Sequence, residues 1–262
     1  MAQLGKQVNV PTDTQASLKK ALKYGMGHAT IYQAGEYPKL PDIPYKRGMA
    51  IVLDLTNYEV VMKFHKAMPE KKIAVMNFVS PNYRKGKFPN TTQTLKESIC
   101  HRSMLCPLIS QPCLKESKFS NKIFSSAHED YYILSEEAVV CELDDDCPGI
   151  SRCENFTTVD ALTCNIPLWV KAFPDDYTAK DNFSLYVKRV KHIMHIAAFH
   201  GADIFIAGAY GCGTFEIDPE IVATAWQEAL GDYRKKFDYT IFAIHFKEHE
   251  IGNFKAFSEM IE

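Results

Sequence analysis

The segment from Asp203 to Leu230, DIFIAGAYGCGTFEIDPEIVATAWQEAL, constrains the fold more than any other part of the chain. It opens with an apolar run, Ile204 to Ala207, that reads as a buried strand. Gly208, Gly211 and Gly213 follow in a loop, and Asp218-Pro219 then starts a helix, with Asp218 as N-cap and Pro219 at the first helical position. Strand, glycine loop and helix N-terminus together suit an anion. Glycines let backbone amides come close to a phosphate, and the helix end adds partial positive charge. The spacing is neither GxGxxG nor GxxxxGK followed by Ser or Thr, which excludes the Rossmann fingerprint and the P-loop. A tight βα turn with no ligand accounts for the same residues equally well, and the loop alone leaves both readings open.

The rest of the chain alternates in kind. Ala50 to Leu53, Ile73 to Val79, Phe156 to Thr163 and Thr240 to His245 read as strands. Helices are expected at 14–24, Tyr58 to Ala67, Thr91 to Cys106, Asp181 to His200, 219–230 and from Asn253 onward. In the helix at Asp181 to His200, Leu185, Val190, Ile193, Ile196 and Ala197 recur at helical spacing. Tyr132 to Leu134 and Ala138 to Leu143 look like two short strands around Ser135-Glu136-Glu137, after a long loop at 107–130. Alternating strands and helices imply an α/β sandwich around a largely parallel, buried sheet. No internal repeat or domain boundary interrupts the pattern, so residues 1–262 are expected to form one domain, with 1–47 as a helical cap. In such sheets ligands bind at the carboxyl ends of strands, where the loops 81–90 and 208–218 both lie and could face one cleft.

Composition removes several function classes. The formal net charge is −2, with no global basic excess to direct the chain to nucleic acid. No segment approaches the ~18 consecutive apolar residues of a membrane helix, and the first fifteen residues lack a signal-peptide core, so a cytoplasmic protein is expected. The eight cysteines contain no CxxC pair and read as free thiols. Cys141, Cys147 and Cys153 lie near Asp144, Asp145 and Asp146, but their six-residue intervals fit no common zinc spacing. An acidic turn between strands explains them better, and no metal or redox cofactor is expected.

The segment Val75 to Cys106 carries a second constellation, with Glu97 two turns into its helix. Asn77-Phe78-Val79-Ser80, Lys85-Gly86-Lys87 and Leu95-Lys96-Glu97-Ser98-Ile99-Cys100 follow one another along strand, loop and helix. This order resembles the signature of the microbial-type poly(ADP-ribose) glycohydrolases, a branch of the macrodomain superfamily: an NFASA-like strand end, a GGG loop, then a QEE helix start running on to Cys-Arg. Gly208-Ala209-Tyr210-Gly211-Cys212-Gly213-Thr214-Phe215 resembles that family's GAWGCGxF loop, and Thr163-Cys164-Asn165 and Tyr132 to Ser135 fall in matching order. The likeness runs over residues 10 to 260 and implies a macrodomain-like three-layer sandwich with a mixed, largely parallel sheet.

The resemblance implies roles. Gly211, Cys212, Gly213 and Thr214 would grip the pyrophosphate of ADP-ribose through their backbone, and Phe215 would pack on a ribose or base. Asn77 would orient the distal ribose. Gly86 and Lys87 belong to the loop that closes over the distal ribose and diphosphate. Glu97 would be the acid catalyst, protonating the leaving oxygen as an oxocarbenium-like ribose forms. The partner implied is ADP-ribose, free or on a modified protein, with neither nucleic acid nor membrane. Three departures bear on this. Lysines at 85 and 87 replace glycines, Leu95 replaces a Gln, and Lys96 replaces the first Glu, which in the family contacts ribose hydroxyls. A cation beside Glu97 favours its ionised form and opposes a general-acid role. Three outcomes stay open: a hydrolase, a reader that binds ADP-ribose without cleaving it, and a pocket remade for another linkage. A nucleophilic dyad of Cys212 with His195 or His200, and base stacking on Tyr131-Tyr132, are the weaker alternatives.

Overall fold

The computed structural model describes residues 29–33, 35–42, 44–79, 131–141, 156–165, 179–213, 216–246 and 251–261. Their strands are β1 (Ala29–Gln33), β2 (Met49–Leu53), β3 (Ile73–Val79), β4 (Tyr131–Cys141), β5 (Phe156–Asn165), β6 (Ile204–Ala207) and β7 (Tyr239–Ala243). Their helices are α1 (Asn57–Ala67), α2 (Ala179–Phe199), α3 (Pro219–Tyr233), which runs into a 3-10 turn at Arg234–Lys236, and α4 (Gly252–Ile261).

The strands form one sheet in the order β1-β4-β5-β3-β6-β7-β2. β5, β3, β6, β7 and β2 run parallel, and β4 and β1 add antiparallel strands at one side. The central strands are apolar on both faces because both are covered. Ile73 and Val75 of β3, with Ile204 and Ile206 of β6, pack with Tyr58, Val60 and Val61 of α1. Ala74, Met76, Phe205 and Ala207 face the other way, into the larger core with α2, α3 and α4. This is the expected three-layer α/β sandwich.

Local chemistry sets the helix starts. At α1, the Thr56 hydroxyl accepts from the Glu59 amide at 3.2 Å while the Glu59 carboxylate accepts from the Thr56 amide at 2.8 Å, a reciprocal capping box. At α3, the Asp218 carboxylate accepts from the Glu220 amide at 2.9 Å and Pro219 occupies the first turn, as read from the sequence.

Two expectations change. The two short strands around Ser135 are one strand, β4, with a bulge between Ser135 and Ala138. Glu137 takes a left-handed φ of 53° there, and its amide donates to the buried Asp160 carboxylate at 3.2 Å, so the extra residue is absorbed without ending the ladder. The described part of the proposed helical cap begins with a strand: β1 pairs along β4 from Ala29↔Ser135 to Gln33↔Tyr131. The helix expected at 14–24 lies outside the described residues. The β-branched and aromatic run Thr30-Ile31-Tyr32 meets the free edge of β4 and satisfies its backbone groups.

The segment after β1 is strapped onto α2 by two histidines. His192 Nε2 donates to the Glu36 carbonyl at 2.8 Å, and His195 Nε2 to the Pro38 carbonyl at 2.7 Å. A carbonyl only accepts, so each Nε2 carries a proton, and His195 Nδ1 is hydrogen-bonded to the Tyr233 hydroxyl at 3.1 Å. Burial is the main cause that pushes the His192 pKa down, with neighbouring His195 adding to it, while the bond to Glu36 opposes both. The neutral ring is therefore favoured in the folded protein. Above the unfolded value of about 6.5 the contribution is complete; as pH falls below it the unfolded chain takes up the proton first, and stability is lost until pH drops through the lowered folded value. Urea unfolding at pH 7.5 and pH 5.5 is expected to show this loss, with a slope of at most about 1.4 kcal/mol per pH unit from this ring. His192→Phe should flatten that part of the slope; an unchanged slope would exclude His192 as its source.

Candidate functional site

The carboxyl ends of β3 and β6 lie side by side, because the two strands pair in parallel from Ile73↔Ile204 to Val75↔Ile206. The chain departs from them in opposite directions: after β3 its next parallel partner is β5, on one side, and after β6 it is β7, on the other. This divergence is the topological switch point of the sheet, where such folds open a crevice for a ligand.

Asn77 lies near the end of β3. It is 5% exposed, and its side-chain Nδ2 donates to the Thr163 hydroxyl of β5 at 3.1 Å. The Cys164 thiol lies 3.9 Å from the Asn77 carbonyl. One residue earlier, the Met76 carbonyl accepts from Asn57 Nδ2 at the start of α1, at 3.3 Å. The carboxyl end of β3 is thus tied to strand and helix at once. Sequence reading singled out Asn77 but not its link to Thr163, which exists only because β3 and β5 pair Asn77↔Thr163.

The glycine loop follows β6 directly. The Tyr210 amide donates to the Gly208 carbonyl at 2.8 Å and the Cys212 amide to the Ala209 carbonyl at 3.1 Å. Farther on, the Ile217 amide donates to the Gly211 carbonyl at 3.1 Å, folding the loop back toward the N-cap Asp218. Gly211 has φ +94°, where a side chain is strained, and this is the physical need for glycine there. At Gly213 an added Cβ meets nothing within 4 Å, so its glycine is not required by packing among the described residues. Tyr210 is fully buried, and its carbonyl accepts a short hydrogen bond from the hydroxyl of Tyr186 on α2.

Cys212 is unsuited to nucleophilic catalysis. Burial, and next the nearby Asp218 carboxylate, push its thiol pKa up to about 12, leaving it protonated at neutral pH. The histidines considered with it are engaged elsewhere. His195 holds Pro38 and Tyr233, and His200 bridges the Tyr32 hydroxyl at 2.6 Å and the Glu136 carboxylate at 3.0 Å. Tyr132 is 2% exposed and packs edge-on against His192 with centroids 4.5 Å apart, which leaves no face for a nucleobase. His245 pairs with Asp54 at 3.0 Å on the surface.

Glu97, Gly86, Lys87, Lys96, Thr214 and Phe215 lie outside the described residues, as do the Asp144-Asp145-Asp146 turn and His249. Of the sequence expectations, Asn77, Gly211, Cys212 and Gly213 lie among the described residues, near the ends of the adjacent parallel strands β3 and β6. A polar groove of about 450 Å³ at the amino ends of β3 and β5 is a separate feature; its buried Asp160 is engaged by the Glu137 amide and by Lys72 at 2.8 Å.

No family model matches the chain, and no curated protein does. Solved structures do. The poly(ADP-ribose) glycohydrolase of Deinococcus radiodurans in complex with ADP-ribose aligns with a TM-score of 0.74 at 18% identity, over 97% of this chain and 98% of its own. Its apo form aligns with a TM-score of 0.72 at 17% identity, over 98% of both chains. The Thermomonospora curvata enzyme bound to the inhibitor ADP-HPD aligns with a TM-score of 0.72 at 19% identity, over 92% of this chain and 88% of its own. At this level of identity the likeness establishes a shared fold across nearly the whole length.

Proposed function

We propose that this chain binds ADP-ribose in the crevice between β3 and β6 and hydrolyses the glycosidic link of an ADP-ribosylated protein. The observation that supports the reading is that the glycine loop and Asn77 follow adjacent parallel strands at the switch point, on a fold shared with glycohydrolases solved with ADP-ribose or ADP-HPD. Gly211 and Gly213, with Thr214, present amides to the diphosphate. The Cys212 amide is already used by Ala209, so Cys212 serves by shaping the turn. Phe215 packs on a ribose or base, Asn77 orients the distal ribose, and Gly86, Lys87 and Lys96 line the facing side.

In the proposed reaction the Glu97 carboxyl gives its proton to the leaving oxygen as the ribosyl carbon–oxygen bond breaks. The oxocarbenium-like ribose is then attacked by a water held near the diphosphate, whose proton returns to the Glu97 carboxylate. The products are ADP-ribose and the freed acceptor. The whole chain acts as one domain, in the cytoplasm; no helix among the described residues is long and apolar enough to cross a membrane.

Calorimetric titration with ADP-ribose tests the premise, and absence of heat at millimolar ligand overturns it. Gly213→Val supplies the sharper form. Its side chain enters open space among the described residues, so thermal stability should hold. It occupies room that a backbone-bound diphosphate needs, so ADP-ribose affinity should fall at least about tenfold. Unchanged affinity would remove the loop from the site.

A second reading, an ADP-ribose reader without turnover, is favoured by Leu95, Lys96 and the lysines at 85 and 87, which alter the catalytic wall while leaving the glycine loop intact. Binding without release of ADP-ribose from modified protein would establish it.

A further inference from the structure

We infer that Tyr186 is a positioning residue for the anion-binding loop: by holding the Tyr210 carbonyl, it aims the Gly211 amide at the ligand. The inference rests on the reading of that loop as a diphosphate site. It starts from the peptide unit that joins Tyr210 to Gly211. The Tyr186 hydroxyl donates to the carbonyl of this unit from inside the core, where both tyrosines are fully buried. A trans peptide is planar, with its N–H pointing opposite to its C=O. Holding the carbonyl toward α2 therefore turns the Gly211 N–H away from α2.

The neighbouring peptides do not supply this orientation. The Tyr210 amide, in the preceding unit, is held by the Gly208 carbonyl at 2.8 Å, and the Cys212 amide, in the following one, by the Ala209 carbonyl at 3.1 Å. Between them, Gly211 has no Cβ to limit its backbone, and it takes a left-handed φ of +94°. Among the described residues, Tyr186 of α2 grips the intervening carbonyl. The grip is rigid: the Tyr186 ring packs tilted against the Tyr210 ring with centroids 5.4 Å apart, and Tyr186 sits midway along α2. Burial, the largest cause, pushes the Tyr186 pKa well up, so the phenol stays a donor across the physiological range. Preorganised donors of this kind spare a site the reorganisation that binding or reaction otherwise requires.

The test compares wild type, Tyr186→Phe and, as a control, Tyr233→Phe, which removes a phenol from α3 that bonds His195 rather than the loop. Each is titrated with ADP-ribose, inorganic pyrophosphate and adenosine, and the Gly211 amide is followed by NMR. In wild type the Gly211 amide resonance should move on adding ADP-ribose or pyrophosphate and stay still with adenosine. Tyr186→Phe should weaken ADP-ribose and pyrophosphate about tenfold and leave adenosine unchanged; Tyr233→Phe should change none of the three. Parallel weakening of all three ligands, or of none, overturns the positioning role. An unmoved Gly211 resonance in wild type with bound ADP-ribose overturns it too, even if Tyr186→Phe fails to fold. If wild type binds neither ADP-ribose nor pyrophosphate, the diphosphate reading itself fails. The grip on the peptide is then judged by Gly211 amide exchange alone, which should change at least tenfold in Tyr186→Phe and not in Tyr233→Phe.

Discussion

Replacing Glu97 with glutamine is expected to slow release of ADP-ribose from an ADP-ribosylated protein by about a thousandfold, the middle of the range for loss of a general acid. Affinity for free ADP-ribose should stay within about threefold, because the proton Glu97 gives is needed in the transition state and not in the bound product. Equal turnover by the two proteins would remove Glu97 from the mechanism. The residue before it offers the converse test. Lys96 is a cation next in sequence to the proposed acid, and a cation close to a carboxyl favours its ionised form. Lys96→Glu puts an anion there instead, favours the protonated acid and should raise turnover at neutral pH, with a further gain from Leu95→Gln. If wild type binds ADP-ribose but releases none, and the double replacement restores release, the chain is a reader whose lost activity traces to residues 95 and 96.

Trp226→Ala is expected to lower stability by about 3–5 kcal/mol. Trp226 lies on α3, fully buried, with its ring 5.4 Å from Phe242 of β7 and 6.1 Å from Phe205 of β6. Phe237 stacks on Phe205 at 5.4 Å, and Phe257 of α4 reaches Phe242 at 5.2 Å. Truncation at the centre of this cluster opens a cavity that several elements would have to collapse together to fill. The indole nitrogen has no hydrogen-bond partner among the described residues. Trp226→Phe also removes that buried donor, which offsets part of the lost packing, and should cost only about 1 kcal/mol. Thermal melts should show a fall of about 6–20 °C for Ala and a few degrees for Phe. A fall for Phe as large as that for Ala would mean that the indole is held by a bond the described residues do not contain.

What could be read from the chain follows from what is encoded locally. β3 and β6 have the bounds their apolar runs give, Ile73–Val79 and Ile204–Ala207, because strands covered on both faces need no polar alternation. Asp218-Pro219 marks the start of α3 because a side-chain acceptor and a missing amide each solve the helix-end problem within two residues. The glycine loop stood out for the same reason, because close backbone approach is written in consecutive residues, whereas Asn77 stood out through the family resemblance.

What could not be read depends on partners far away in the chain. Thr30-Ile31-Tyr32 has strand propensity, but only the open edge of β4, about a hundred residues on, makes it a strand rather than part of a helical cap. Ser135-Glu136-Glu137 looks like a break until Asp160 of β5 supplies an acceptor for the bulged amide. Tyr186 lies four residues before Val190 and seven before Ile193, on the stripe by which α2 was recognised, and it is fully buried while Leu185 is only partly so, but that position marks it as core and says nothing of what its hydroxyl holds. Its importance depends on a carbonyl 24 residues later that α2 meets only after the sheet has formed.

The sequence by itself determined that this is an α/β chain, where its central strands and capped helices begin, and that a glycine loop suited to an anion follows β6. Those features rest on interactions within a few residues. Only the tertiary structure decided that β3 and β6 lie side by side at the switch point, that Asn77 is held by Thr163, and that a buried tyrosine turns the Gly211 peptide. Each of these needs groups distant in the chain to be brought together by burial of a shared core, which local propensity does not specify.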